Sequence, residues 1–436
     1  MGSEPIAQIL SRARELLSSG RPGAALRVLR SVGDEYMDAD DRIEYVALRA
    51  LALSQSGRGR PALELLNNCL EDEPDSPMLH AASGIVLANA GDYDAARDEL
   101  EYATELGADD PDTLLNLAMV YVELRDYDRA AAAYAEAAQR GADLQFLLPR
   151  QAEVYVELNQ PVRARETLRR YLSLVPDDAE QWISLGILCS DEGRFDEATE
   201  AYRRAERLDR DSTSLRLNWG VSAVRAHDVA EADRQLAHLR ALEPRAARTI
   251  LLEAYIREER GEMQAAERAY QRALKACADE SVHEQAYTLE MAMDFFARRR
   301  RTEVCDELLA AAYTINACTV ELCEAYREAQ GRLCDAARWF SVMIEADYRT
   351  GLSEVHALDA APVARPRRYQ RCIQVVARDR DEAISIATDV VRRFGERNVR
   401  VYEIAGEDAL EGTQFAGVYE IERDAFIVPE EDGQQH

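Results

Sequence analysis

Lysine is almost missing from this chain of 436 residues. Of its 53 basic residues only Lys275 is a lysine; 52 are arginines, and they stand against 81 acidic residues, for a net charge of −28. A protein that neutralises phosphates needs a net basic face, so general nucleic-acid binding is disfavoured. Aromatic residues are also sparse at 7%, with eight Phe and three Trp, which argues against an all-β sandwich or barrel, whose sheets need aromatic and β-branched side chains. No run of about 18 apolar residues occurs. The opening MGSEPIAQILSRARELL also has no unbroken apolar core, so neither a secretory signal nor a membrane span is expected, and a cytoplasmic location follows. The eight cysteines include no C-x-x-C pair and read as reduced, small apolar residues. Cys318, Cys323 and Cys334 come nearest to a cluster, but spacings of five and eleven fit no zinc template. Six histidines lie without metal-ligand spacing, and no phosphate-binding glycine loop or nucleophile elbow is found. No enzyme activity, cofactor or metal is expected, and His80 and His227 read as structural.

What remains is a chain rich in Ala, Leu, Glu and Arg, the strongest helix formers. It repeats with a period of 34: Gly57, Gly91, Arg125, Asn159, Gly193, His227 and Gly261 follow one another at that interval. Five residues beyond each stands an alanine (Ala62, Ala96, Ala130, Ala164, Ala198, Ala232, Ala266), and nine beyond a large apolar residue (Leu66, Leu100, Tyr134, Leu168, Tyr202, Leu236, Tyr270). Seven before each stands a small residue: Ala50, Gly84, Ala118, Ala152, Gly186, Gly220, Ala254. Alanine and large residue recur at the helical interval i, i+4, and Trp182, Leu185, Gly186 and Cys189 trace a second helix upstream. Each unit is thus a helical hairpin with a tight turn at the register position, and the small column sits where two backbones approach. Acidic pairs such as Asp109-Asp110 and Asp177-Asp178 fall between units, where capping is their ordinary role.

The columns resemble the tetratricopeptide repeat (TPR) family: Trp182-x-x-Leu185-Gly186, Leu117-Ala118-x-x-Tyr121, Ala198-x-x-x-Tyr202, and Pro176 and Pro244 meet its pattern. The chain departs from it in lacking the Trp in most units and the closing Pro at Ala108, Ala142 and Arg210. The resemblance implies a mostly α fold, a right-handed α-solenoid. Gly20, Ala25 and Leu29 extend the columns at one end, after a longer connection at Asp34–Asp41; Gly331, Ala336 and Phe340 extend them at the other, past a divergent turn at Arg298–Arg301. About ten hairpins over residues 5–346 are expected, within a solenoid domain of residues 1–346.

Beyond Ala346 the pattern fails. Residues 347–368 read as a linker, with one helical turn near Leu352–Leu358, and 369–428 as a small α/β domain of order βαββ and ferredoxin-like kind. Its last two strands are expected as a hairpin around Arg423-Asp424, and 429–436 as a disordered acidic tail.

In the family the first helix of each unit lines an inner groove. The columns facing it hold Leu115, Met119, Val122, Val156, Ile183, Ile187, Leu217, Val221, Val224, Leu251 and Tyr255, interleaved with Asp112, Glu123, Glu153, Glu157, Glu180 and Asp191. An apolar stripe among carboxylates suits a peptide or helix of a protein partner bearing apolar anchors and basic residues. The competing reading is that several of these side chains pack against the next hairpin. Relatives that clamp a terminal carboxylate use Lys, Arg and Asn in those columns; here only Asn116 and Asn218 qualify. A non-enzymatic scaffold is therefore expected, with the C-terminal domain making a second contact, to a partner or to a second copy, and no membrane contact. The alternative is a nucleic-acid-associated factor using two arginine islands, Arg298–Arg301 and Arg365, Arg367, Arg368 and Arg371, and the second island also suggests a tethered latch into the acidic groove.

Overall fold

Alternating apolar columns at helical spacing leave each helix with one buried stripe, so the helices pair. The structure, a computed structural model, describes residues 5–32, 37–315, 317–334, 337–347, 368–393, 398–410 and 414–427. It divides into two units, Met1–Arg210 and Asp211–His436.

The first unit holds six hairpins: α1 (Ile6–Ser18) with α2 (Pro22–Leu29), α3 (Ala39–Gln55) with α4 (Gly59–Leu70), α5 (Pro77–Ala90) with α6 (Tyr93–Glu105), α7 (Pro111–Glu123) with α8 (Tyr127–Gln139), α9 (Leu144–Glu157) with α10 (Pro161–Leu174), and α11 (Ala179–Asp191) with α12 (Phe195–Leu208). The second opens with α13 (Thr213–Arg225) and α14 (Val229–Leu242), α15 (Ala247–Glu259) and α16 (Met263–Ala276), and α17 (Val282–Ala297) and α18 (Thr302–Thr314). All seven register residues, Gly57 to Gly261, have positive φ, as do Gly20 and Arg300 in the outer turns. That left-handed step closes the first helix of each pair. The seven repeat alanines are fully buried, and the large residues four positions on are at most 5% exposed. Asp110 caps α7 by accepting from the Asp112 and Thr113 amides, and Asp178 caps α11 through Gln181. The connection expected at Asp34–Asp41 is shorter: Asp38 already caps α3, and 33–36 lie outside the described residues.

The tenth hairpin is absent, so the described residues form nine. After α19 (Val320–Gln330), which ends at left-handed Gly331, the chain does not return as a helix. It forms a short β1 (Leu333–Cys334) and then β2 (Arg338–Asp347). The reason is legible in RWFSVMIEAD: Phe340, Val342, Ile344 and Ala346 are buried while the residues between them are partly open, a period of two that no helix can satisfy. Two column matches were outweighed by ten residues of alternation.

β2 pairs antiparallel with β3 (Arg368–Ala377), Asp347 opposite Arg368, so 348–367 join two neighbouring strands and are not a link between domains. That segment, including the turn expected near Leu352–Leu358, lies outside the described residues, as does 429–436. α20 (Arg380–Arg393) then leads to β4 (Arg400–Ala409), β5 (Gln414–Phe415) and β6 (Gly417–Ile427), the last one continuous strand where a hairpin around Arg423-Asp424 was expected. The sheet order is β4-β2-β3-β6, all antiparallel; β3 and β4 flank β2 and are joined by α20, a split crossover. The sheet lies in the same compact unit as the last helices. One core runs from Leu251, Tyr270, Phe295 and Phe296 through Leu322 and Tyr326 to Phe340, Val342, Ile373, Val375, Ile386 and Ile421.

Candidate partner-binding groove

In the first unit the groove columns fall on α7, α9 and α11. Met119 and Val156 are exposed, at 38% and 47%, and Val122 and Ile187 are half-buried, whereas Leu115 and Ile183 are buried in the packing. The carboxylates Asp112, Glu123, Glu153, Glu157, Glu180 and Asp191 are all exposed. Among the described residues none of Asp112, Glu123, Glu153 and Glu180 is in an ion pair, while burial and the neighbouring Glu157 carboxylate push the Tyr127 hydroxyl above its ordinary range. Acids elsewhere in the unit are engaged: Arg165 lies 3.3 Å from Glu192, and Arg129 reaches Glu101 at 3.1 Å.

In the second unit the expected residues lie on α13 and α15. Leu217, Val221 and Tyr255 are half-buried; Val224 and Leu251 are buried and belong to the core. Burial pushes the Tyr255 hydroxyl well above its ordinary range, so it stays protonated; it lies 2.6 Å from Met291 Sδ. Four of the eleven apolar candidates, Leu115, Ile183, Val224 and Leu251, are therefore packing residues and not an open surface.

The other singled-out residues have structural partners. His80 sits between Glu99 and the Pro74 carbonyl, at 2.7 and 2.8 Å, and His227 makes the left-handed turn and meets Glu259. All eight cysteines are buried and unbridged. In the first arginine island, Arg298 pairs with Asp294 and Glu258, Arg299 stacks on Phe295, and Arg301 reaches Glu267, so three of its four charges are engaged locally. In the second, Arg371 is not on a linker: it is 2% exposed within β3, its guanidinium 4.8 Å from the Tyr313 ring. Arg365 and Arg367 lie outside the described residues.

Two charged sites escaped the sequence reading. Glu290 on α17 is held above the ordinary carboxylate range by burial, with Glu321 adding repulsion. Glu253 on α15 lies under three arginines: Arg257 at 2.6 Å, Arg272 at 2.7 Å and Arg240 at 3.1 Å. Burial alone would raise its pKa, but hydrogen bonds from Arg240 and Arg272 and the charge of Arg257 hold it below the ordinary range. A signal existed, because the column that gives Glu253 holds buried Leu117, Leu185 and Trp219 in other units.

Comparison with curated proteins finds no match. Residues 164–283 match the family described as the cytochrome c-type biogenesis protein H TPR domain, and 47–111 and 111–140 match tetratricopeptide repeat families. Among solved structures the chain is similar to YrrB, described as a TPR protein with an unusual peptide-binding site: 20% identity, 42% of this chain and 95% of that one, TM-score 0.39. Pseudomonas aeruginosa pilF gives 20% identity over 49% of this chain and 98% of its own, TM-score 0.41. MamA of Desulfovibrio magneticus RS-1 gives 20% over 38% and 95%, TM-score 0.36. No helix among the described residues is long and apolar enough to cross a membrane. With its 34-residue columns, left-handed turns and hairpins, the helical array of this chain belongs to the tetratricopeptide-repeat family.

Proposed function

We propose that the protein is a non-enzymatic scaffold that holds a peptide or helix of a protein partner against the first helices of the first unit. The supporting observation is the exposed pair Met119 and Val156 on helices that also carry Asp112, Glu123, Glu153 and Glu180, none of them in an ion pair among the described residues. An exposed Met adapts to varied apolar anchors, and free carboxylates select Arg or Lys beside them. The partner segment thus carries apolar anchors flanked by basic residues. The second contact is made by the C-terminal sheet at edge strand β4, where Tyr402 is 66% exposed. The nucleic-acid reading loses support, since Arg298, Arg299 and Arg301 of the first island are engaged and Arg371 is buried.

The test is selection of peptides from a random displayed library on the full-length protein. Enrichment of apolar-basic sequences that disappears with Met119→Glu plus Val156→Glu is expected. Equal enrichment on the variant, or none on the native protein, refutes the groove.

A further inference from the structure

Against the chain's net charge of −28, the second unit carries a strongly basic crevice. In the second unit, α15 and α16 enclose an open crevice of about 480 Å³ lined by Arg257, Glu262, Arg268, Gln271, Arg272 and Lys275. Four cations face one carboxylate there. Beneath them Glu253 is ionised, but it is shared among three arginines and cannot neutralise them. Arg268 and Lys275, the chain's only lysine, are exposed, and among the described residues neither is in an ion pair.

The fold alone does not produce this charge. Three repeats earlier the equivalent crevice, lined by residues of α8, α9 and α10, has Gln151 at the position of Glu253 and Glu166 at the position of Arg268. Ser173 stands where Lys275 does. The earlier crevice sets two cations, Arg163 and Arg170, against Glu166, so it is weakly basic where the later one is strongly so. Arg268, Gln271, Arg272 and Lys275 recur at i, i+3, i+4 and i+7, a single face of α16. From Arg268 to Lys275 the face runs about 10 Å at 1.5 Å per residue, too long for one small anion to touch both ends. An extended strand sets same-side carboxylates about 6.6 Å apart, so three alternating acidic residues, about 13 Å end to end, span it.

We propose that this crevice is a second recognition site, which takes an extended acidic segment of a protein partner, with Arg268, Arg272 and Lys275 meeting alternate carboxylates. Glu253 acts as a positioning residue: it fixes Arg272 and Arg257 before the ligand arrives, which lowers the ordering cost of binding. The site is independent of the first unit's groove, whose ligand is basic.

The experiment is fluorescence anisotropy of a labelled octaglutamate peptide with the full-length protein at low salt, where screening is least. The whole molecule repels this probe, so attraction must be local. Saturable binding that weakens with added salt is expected, with a loss of about tenfold or more in Arg268→Glu plus Lys275→Glu. Both positions are exposed, so the variant's melting midpoint should match the native one. Arg204→Glu plus Arg207→Glu, on α12 of the first unit, should bind normally, as should Met119→Glu, which separates failure of this site from failure of the groove. Absence of binding, equal loss in the α12 variant, complete displacement by millimolar inorganic phosphate, or preference for a single-stranded oligonucleotide overturns the proposal.

Discussion

Gly186 on α11 lies so close to Tyr202 on α12 that a Cβ built on it would stand 2.5 Å from the ring's Cε1. Gly84 and Leu100 stand in the same relation three hairpins earlier, again at 2.5 Å. The small column is the price of a large, fully buried residue at the facing position. Gly186→Leu should therefore overpack the hairpin and cost about 1–3 kcal/mol. Chemical denaturation reads it directly, and an unchanged midpoint contradicts this pairing of helices.

Arg125, Asn159, His227 and Arg300 hold left-handed φ values between 52° and 58° without being glycine. A side chain there costs about 1–2 kcal/mol, partly offset by the greater unfolded freedom of glycine. Arg125→Gly, at an exposed turn, should stabilise the first unit by about 0.5–1 kcal/mol. Gly91→Val, at φ 85°, should shift the urea midpoint the other way.

The turns and the buried alanines were readable because a repeat tests each column seven times over. The sheet was only half readable. β3, α20 and β4 announce themselves by alternation and amphipathic spacing, but β2 follows a helix that ends at Gly331 like any other repeat, and Phe340 falls by chance on a repeat column. The groove was least readable, because first-helix columns do not separate side chains that face solvent from those covered by the next hairpin. Met119 and Leu115 occupy neighbouring inner columns of α7, yet one is 38% and the other 7% exposed. The basic crevice was missed because Arg240, Glu253, Arg257 and Arg272 converge from three helices.

Glu253 links stability to pH. Its arginines hold its folded pKa below the unfolded value, so its contribution is present above the unfolded carboxylate pKa and is lost as pH falls through the folded one. Glu253→Gln leaves three arginines facing a neutral amide and should cost about 3 kcal/mol near neutral pH. The gap between variant and native protein should close on acidification. A gap that stays constant down to strongly acid pH would mean that Glu253 does not carry the charge assigned to it.

Phe296 on α17 and Phe340 on β2 belong to one core, and each is at most 1% exposed. Gly417 at the start of β6 fits under Arg327 of α19, where an added Cβ would stand 2.8 Å from Cγ, so strand and helix are fitted to each other. If the sheet folds with the last helices, Phe296→Ala and Phe340→Ala should lower the same cooperative transition, each by about 3–5 kcal/mol. Gly417→Ala should lower it as well, by forcing the Arg327 stem away. Tryptophan fluorescence of Trp339 on β2, with Trp182 and Trp219 replaced by Phe, reports on the sheet alone. Its transition should coincide with loss of helix measured by circular dichroism for this unit, and Phe296→Ala should move both together. A sheet transition that ignores Phe296→Ala would make the C-terminal strands an independent domain and the shared core a mere contact.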